Sequence, residues 1–221
     1  MKTRLTIAVL VMFVVLVVAI RAISYSHPDN YLIEWSEFLQ QPDGITCGPT
    51  SATMVLRQYG FKVEIEEVAK QTKTEWFKYR DESVGMTSPE CIPDAMKHFG
   101  LPSRLQQANF NQLKYYVSRD RPCIVLLRSG ESLWHYVVVF GYDEDSVFLA
   151  DPGFFGISHG PRQMTHGLNE MDTEIFLRAW SFHGDMQGNS MANNWLVSLL
   201  KSIEVYPNTM IVPKQSFIKD I

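Results

Sequence analysis

The sequence predicts an α+β protein with one compact domain behind an apolar N-terminal segment. Three observations support this class: helical periodicity follows Cys47, strand-like runs begin at Cys123, and an apolar run opens the chain. The chain has 221 residues, and the part behind the apolar segment is large enough for one hydrophobic core. Because the helices come first and the strands later, we expect an antiparallel sheet and not a βαβ alternation.

The N-terminal segment, residues 1–25, is typical of an export signal. Two basic residues, Lys2 and Arg4, precede an apolar run over residues 5–20. A cleaved signal has an apolar region of about 7–15 residues and a membrane-spanning helix needs about 17–25, so length leaves both open. We interpret the segment as an uncleaved transmembrane anchor. The alternatives are a signal cleaved near residues 24–26, where small residues flank a tyrosine, and a buried core helix.

The charges around this segment predict its orientation. Under the positive-inside rule Lys2 and Arg4 stay in the cytoplasm, so the chain after Arg21 faces away from it. We therefore expect a domain held to the membrane by the N-terminal helix, in the periplasm or at the cell surface. Cleavage of the signal would instead give a secreted protein.

Four helices are predicted in the first half of the domain. Apolar residues recur at helical spacing after Cys47, with Pro49 in the first turn and Gly60 just past the end. The other three are predicted at residues 65–70, 88–99 and 110–117.

Strands are predicted in the second half, at residues 123–127, 135–142 and 147–150. The last two are separated by a short acidic segment, which predicts a hairpin. We divide the chain into the N-terminal segment, a linker over 26–35, a domain over 36–183 and a C-terminal extension over 184–221. The extension is expected to hold an amphipathic helix around residues 195–203 and a β-like tail at 210–212.

Charge and cysteine content exclude several classes of function. The net charge is −4 with both signs scattered along the chain, so we expect no nucleic-acid partner. The three cysteines, Cys47, Cys91 and Cys123, form no CxxC pair and lie at no zinc-ligand spacing, so we expect no metal and no cofactor. A Cys91–Cys123 disulfide is possible in an oxidising compartment and would leave Cys47 as a free thiol.

Cys47 is a candidate nucleophile because it begins a predicted helix. The unpaired N–H groups and the dipole at a helix N-terminus favour the thiolate and lower the thiol pKa. Gly48 removes a side chain beside the sulfur, so that a substrate backbone could approach. The alternative is that Cys47 is a small buried residue of the core.

The predicted hairpin brings a candidate base to a candidate carboxylate. If Tyr142 faces Ser146, then Val137 faces Asp151, and His135 lies diagonally across from that carboxylate on the same face. An imidazole held by a carboxylate has a fixed tautomer, as nucleophilic catalysis requires. The strand of His135 is apolar on both faces, so we expect it to lie centrally in the sheet.

These residues resemble the double-glycine (bacteriocin-processing) peptidase domain and its stand-alone relatives, within the papain-like superfamily. The resemblance covers roughly residues 36–183. It is carried by the runs Gln41-Pro42-Asp43-Gly44-Ile45-Thr46-Cys47-Gly48-Pro49-Thr50-Ser51, His135-Tyr136-Val137-Val138-Val139-Phe140-Gly141-Tyr142 and Asp151-Pro152-Gly153.

The resemblance implies a papain-like cysteine peptidase fold and a cysteine peptidase acting on a peptide or protein through a thioester. It implies Cys47 as nucleophile, His135 as base and Asp151 as orienter. Gln41, six residues before the cysteine, would supply an oxyanion donor. The best-known members lie at the cytosolic end of an export transporter and cut leaders after Gly-Gly, which differs from the exported domain expected here.

Two other functions are compatible with the same residues. The acyl group could pass to an amine instead of water, which would make the chain a transpeptidase or acyltransferase. A peptidase fold could also serve as a non-catalytic peptide-binding module, although none of the four site residues is replaced here.

Overall fold

The computed structural model describes residues 6–7, 9–13, 25–79, 82–129, 133–153, 162–165, 168–181 and 208–216. Its helices are α1 (Cys47–Gln58), α2 (Ile65–Gln71), α3 (Cys91–His98), α4 (Phe110–Val117) and α5 (Thr173–Ser181). Its strands are β1 (Tyr31–Leu32), β2 (Glu75–Tyr79), β3 (Glu82–Met86), β4 (Ser103–Gln107), β5 (Cys123–Ser129), β6 (Leu133–Tyr142), β7 (Ser146–Ala150), β8 (Arg162–Thr165), β9 (Leu168–Asp172) and β10 (Thr209–Pro213).

The strands form one large antiparallel sheet in the order β4-β10-β5-β6-β7-β9-β8, with β1 added beside β6. The hairpin β2–β3 forms a separate two-stranded sheet. Strand β6 lies between β5 and β7, and its residues 135–142 are buried. The predicted α+β class, the antiparallel sheet and the central position of this strand are confirmed.

Helix α1 is buried along almost its whole length and packs against β6. Two of its buried hydroxyls donate to main-chain carbonyls: Thr53 Oγ1 donates to Pro49 O at 2.8 Å, and Ser51 Oγ donates to Tyr136 O at 3.2 Å. The second bond ties the helix to the strand that carries His135. The Oγ1 of Thr50 is buried with no hydrogen-bond partner among the described residues. The apolar periodicity predicted a helix here, and this prediction is confirmed. The helix can be buried on nearly all sides because its side chains are apolar or small, and the hydroxyls of Ser51 and Thr53 are hydrogen-bonded.

The helix end predicted from Gly60 is confirmed, and the helix before Gly100 ends in the same way. Gly60 has φ +83° and Gly100 has φ +98°, conformations that glycine adopts without a Cβ penalty. Both glycines lie just beyond a helix, α1 and α3 respectively, and let the chain reverse towards the next element.

The β6–β7 hairpin corrects the predicted register near its loop. Tyr142 faces Val147 and not Ser146, but the register shifts by one residue between Val139 and Gly141. Beyond this bulge Val138 faces Ala150, so the predicted alignment holds at the end of the hairpin that carries His135. A bulge leaves no clear signal in an apolar run, so it was missed.

Part of the predicted C-terminal extension forms a strand of the large sheet. Residues 210–212 were expected to be β-like, and they lie in β10, but this strand is inserted between β4 and β5 and is buried. At least this part of 184–221 therefore belongs to the sheet of the domain. The predicted amphipathic helix around residues 195–203 lies outside the described residues.

The expected linker, residues 26–35, packs on the domain over much of its length. Tyr31 OH donates to Asp120 Oδ1 at 2.7 Å, and β1 pairs with the end of β6. Tyr142 OH donates to Pro28 O at 3.1 Å. These contacts hold the chain against the domain just after the predicted anchor.

Only parts of the N-terminal segment are described, namely residues 6–7 and 9–13, which are helical and carry exposed apolar side chains. Over the described part of the chain, no helix has the length and apolar character needed to cross a membrane. The cysteines at positions 91 and 123 are not joined by a disulfide.

Candidate active site

Cys47 is the first residue of α1, as the sequence predicts. Among the described residues, no side chain caps this helix end and no acidic residue lies in its first turn. The hydroxyl of Thr46, which could cap the helix, instead donates to Asp43 Oδ1 at 2.8 Å. The positive end of the helix therefore acts on the sulfur with no acidic side chain in the first helical turn to oppose it.

His135 lies between Cys47 and Asp151. Its Nε2 is 2.5 Å from Asp151 Oδ1, and both residues are buried. The imidazole is also hydrogen-bonded to the Cys47 thiol. Because Nε2 is engaged by the carboxylate, Nδ1 is the ring nitrogen that remains for the sulfur. The structure thus brings the three residues into one hydrogen-bonded chain.

The three residues polarise one another. Burial raises the pKa of Cys47, but the hydrogen bond to His135 and its charge outweigh burial and lower the pKa overall. Hydrogen bonds from the backbone of Tyr136 and Gly48 lower it further. Burial lowers the pKa of His135, but hydrogen bonds to Asp151 and Cys47 outweigh it and raise this pKa to about 10. The opposite shifts favour a thiolate and an imidazolium.

Gln41 is placed by a tight turn ahead of α1. The Asp43 carboxylate accepts from Ile45 N at 3.0 Å and from Thr46 N at 2.9 Å, which closes the turn. Gln41 Nε2 donates to the Asp43 carbonyl. One amide hydrogen is used in this bond, and the second remains for another acceptor. The Asp43 turn is a positioning feature that the sequence analysis missed, although Pro42-Asp43-Gly44 is a typical turn sequence.

The turn after β7 connects the carboxylate to Gln41. Gly153 N donates to Asp151 Oδ1 at 2.8 Å, so the carboxylate oxygen that faces His135 also accepts a main-chain bond. Gln41 N donates to Pro152 O at 2.8 Å. All four predicted site residues therefore lie in one network, built from α1, β6, the Asp43 turn and the turn at residues 151–153.

The predicted role of Gly48 needs correction. A Cβ at this position would lie 2.9 Å from Thr87 Cβ and 3.0 Å from Thr87 Oγ1, so the space is filled by a protein side chain. Thr87 O accepts from Tyr136 OH at 3.0 Å, and Thr87 Oγ1 bonds Thr74 Oγ1 at 2.8 Å. Gly48 thus allows the base of the β2–β3 hairpin to pack beside Cys47. Sequence gave no signal for Thr87, because the contact is long-range.

Other histidines lie away from this network or outside the described residues. His27 stands against Tyr142 and His98 against Phe99, whereas His159, His166 and His183 are not described. Within the described ranges, no group of three or more His, Cys, Asp and Glu side chains is placed to hold a metal ion.

The model of the Peptidase_C39 like family matches residues 34–185, which is more than half of the chain. The chain belongs to this family. As a member of the Peptidase_C39 like family it is a cysteine peptidase, a hydrolase that acts on peptides. Among curated proteins no significant match is found.

Solved structures share the fold at low identity. A structure described as a C39-like peptidase from Bacillus anthracis is 15% identical with a TM-score of 0.59, covering 86% of this chain and 100% of that one. The peptidase domain of Streptococcus ComA, a bifunctional ABC transporter of a quorum-sensing pathway, is 20% identical with a TM-score of 0.50, covering 81% and 98%.

A third structure was solved with a bound peptide. It is a double-glycine-motif protease from an AMS/PCAT transporter in complex with its leader peptide. The identity is 16% and the TM-score 0.51, with 82% of this chain and 93% of that one covered. At these identities the three likenesses concern the fold, and they confirm the papain-like α+β architecture that the resemblance implied.

Proposed function

We propose that this chain hydrolyses peptide bonds with Cys47 as nucleophile, His135 as general acid and base, Asp151 as orienter and Gln41 as oxyanion donor. The observation that carries the proposal is the hydrogen-bonded chain from Cys47 through His135 to Asp151, set at the N-terminus of a buried helix. A thiolate beside an imidazolium is the reactive form of a cysteine peptidase.

Acylation begins with attack of the Cys47 thiolate on the scissile carbonyl carbon. Negative charge develops on the carbonyl oxygen, where the Cys47 backbone N–H and the second hydrogen of Gln41 Nε2 stabilise it. Collapse of this intermediate breaks the C–N bond. His135 gives its proton to the leaving amine, and the acyl group remains on the sulfur as a thioester.

The same groups act in deacylation, where His135 first accepts a proton instead of donating one. Neutral His135 takes a proton from water, and the resulting hydroxide attacks the thioester carbonyl. The C–S bond breaks, the carboxylic acid product leaves, and the thiolate and imidazolium are restored. Asp151 holds Nε2 throughout, so that Nδ1 stays aimed at the sulfur.

Labelling of the full-length chain tests these roles. A peptide epoxide that alkylates active-site thiols should label Cys47, read by mass spectrometry of the labelled peptide. Cys47→Ala should abolish the label, and His135→Ala should slow it by at least about tenfold because the thiolate loses its partner. Cys91→Ala and Cys123→Ala are the controls and should label normally. Labelling at either of these two cysteines with Cys47 inert would contradict the assignment.

We further propose that the domain acts outside the cytoplasm, held to the membrane by the N-terminal segment. Two features support this: Lys2 and Arg4 precede an apolar run, and the described residues 6–7 and 9–13 carry exposed apolar side chains instead of packing on the domain. Such a surface is stable in lipid and costly in water.

Two measurements test the location. A C-terminal reporter enzyme that folds only outside the cytoplasm should be active, and mass spectrometry of the membrane fraction should find the intact N-terminus. A silent reporter would refute the location. An active reporter with an N-terminus near residue 25 would instead establish the cleaved signal as the route of export.

A further inference from the structure

Gly153 occupies the space between the base and the oxyanion donor. A Cβ built on it would lie 2.9 Å from His135 Cε1 and 3.1 Å from Gln41 Oε1, with His135 Nε2 at 3.4 Å. Contacts this short would force a neighbour to move. The imidazole of His135 and the amide of Gln41 therefore converge on a point that only a residue without a side chain leaves open.

The surroundings give Gly153 little freedom to move away. Its N–H donates to Asp151 Oδ1 at 2.8 Å, and the preceding carbonyl, Pro152 O, accepts from Gln41 N at 2.8 Å. Gln41 Nε2 is bonded to the Asp43 carbonyl, and Gln41 Oε1 is buried with no hydrogen-bond partner among the described residues. The turn is thus tied on one side to the carboxylate and on the other to the main chain of Gln41.

Backbone conformation does not explain the glycine. The φ angle of Gly153 lies outside the left-handed region, where a side chain would be strained. Alanine could therefore adopt the same backbone, and the cost of a side chain here is steric contact with His135 and Gln41. This separates Gly153 from Gly60 and Gly100, whose φ angles are positive.

We propose that Gly153 is a positioning residue. Because it has no side chain, the turn at residues 151–153 can hold the imidazole of His135 and the amide of Gln41 close to each other. The proposal rests on the proposed function, because it assigns Gly153 a role through the base and the oxyanion donor. A methyl group here would turn the imidazole away from Asp151 Oδ1 and from the thiol, and so would weaken the ion pair without unfolding the domain.

Alkylation of the full-length chain by iodoacetamide tests this, because the rate reports the thiolate fraction and needs no peptide substrate. The modification is read by mass spectrometry at Cys47 across a range of pH. At about pH 6, well below the ordinary thiol pKa of about 8.5, Gly153→Ala should react at least about tenfold more slowly than the unchanged protein. The control is Cys91→Ala, a substitution outside the hydrogen-bonded network described above, which should leave the alkylation rate of Cys47 unchanged.

A second variant separates positioning from a general loss of structure. Gln41→Ala removes the amide on one side of the methyl, so the Gln41→Ala/Gly153→Ala double variant should regain part of the lost alkylation rate. A merely structural defect would persist or worsen in the double variant, since the changes would add. This comparison stays informative where Gly153→Ala alone is poorly folded.

Different results would overturn the role of Gly153 and the proposed function on which that role rests. An acid-shifted alkylation profile that is unchanged in Gly153→Ala would overturn the positioning role while leaving the ion pair intact. Failure of the double variant to regain alkylation would also overturn it. If the unchanged protein itself alkylates with an ordinary thiol pKa, the proposed nucleophile is wrong, and the role of Gly153 fails with it.

Discussion

At the scale of single residues, each member of the proposed triad has its charge state set by its neighbours. Cys47 would be a weak acid if it were simply buried, yet His135 and two backbone hydrogen bonds lower its pKa. His135 would lose its proton on burial, yet Asp151 and Cys47 raise its pKa to about 10. The chemistry thus depends on the group and not on any one residue.

Replacing the carboxylate tests its contribution. Asp151→Asn keeps the size of the side chain but removes the charge and offers an amide to His135 Nε2. We expect kcat/KM for peptide hydrolysis to fall by about 100-fold or more, because the imidazole loses its fixed tautomer and its charge stabilisation. Steady-state kinetics with a fluorogenic peptide measure this. Activity within about twofold of the unchanged protein would mean that Asp151 does not orient the base.

The pH dependence of hydrolysis follows from the two pKa shifts. The reactive pair requires Cys47 deprotonated, so activity should rise as pH passes through a pKa below the ordinary thiol value. It also requires His135 protonated, so activity should fall as pH passes through about 10. A bell-shaped profile of kcat/KM is expected. In Asp151→Asn the alkaline limb should move to lower pH, and an unmoved limb would contradict the assignment of that limb to His135.

The candidate site residues could be proposed from the sequence, but the contacts that position them could not. The order of Cys47, His135 and Asp151 and the spacing of Gln41 are visible in the sequence. Thr87 and Gly153 were missed as packing neighbours, because a steric fit between distant segments leaves no local pattern.

At the scale of elements, the site is formed where a helix N-terminus meets the middle strand of a sheet. Ser51 Oγ of α1 donates to Tyr136 O of β6, and the Tyr136 backbone also bonds the Cys47 sulfur. The β2–β3 hairpin joins them through Thr87, which packs on Gly48 and accepts from the Tyr136 hydroxyl. Gly48 and Tyr136, which are adjacent to Cys47 and His135, thus hold three elements together.

A double-mutant cycle tests this junction. Gly48→Ala should lower the free energy of unfolding by about 1–3 kcal/mol, since the new methyl collides with Thr87. Thr87→Gly removes the colliding atoms, so the double variant should be more stable than the sum of the single effects predicts, by about 0.5 kcal/mol or more. Denaturant unfolding provides the values. Additive effects would show that the two residues do not contact each other.

The hairpin shows why element boundaries are predicted better than register. Strand lengths and the acidic loop follow from composition, and β6 and β7 were found within two residues of their predicted ends. The bulge between Val139 and Gly141 was not predicted. The predicted pairing at the loop was wrong by one residue, and the bulge cancels this error on its far side. The predicted His135–Asp151 contact therefore rests on a register that holds only beyond the bulge.

At the scale of the whole molecule, the large sheet is completed by residues that lie far along the sequence from the candidate site residues. Met210, Ile211 and Val212 are fully buried in β10, which separates β4 from β5. We propose that the folding unit includes this strand and the packed segment after residue 25, in addition to the expected domain 36–183. A short strand of this kind is hard to assign from sequence, because nothing local shows where it pairs.

Truncation tests the contribution of β10. A chain ending after residue 207 should lose cooperative thermal unfolding or unfold at least about 10 °C lower, because β4 and β5 both lose their pairing with β10 and the core loses buried apolar area. A chain ending after Ser216, which keeps β10 and its neighbours, is the matched control and should unfold as the intact chain does. Equal stability of the two truncated chains would show that β10 is dispensable.

The central claim is that this chain hydrolyses peptide bonds, with Cys47 as the nucleophile and His135 as the general acid and base. The most direct measurement is mass spectrometry of a peptide library incubated with the full-length protein in water enriched in heavy oxygen. We predict new C-termini that carry the heavy isotope, their loss in Cys47→Ala and in His135→Ala, and normal yield in Cys91→Ala. Cleavage that persists in Cys47→Ala, or products joined to an added amine without the isotope, would contradict the account.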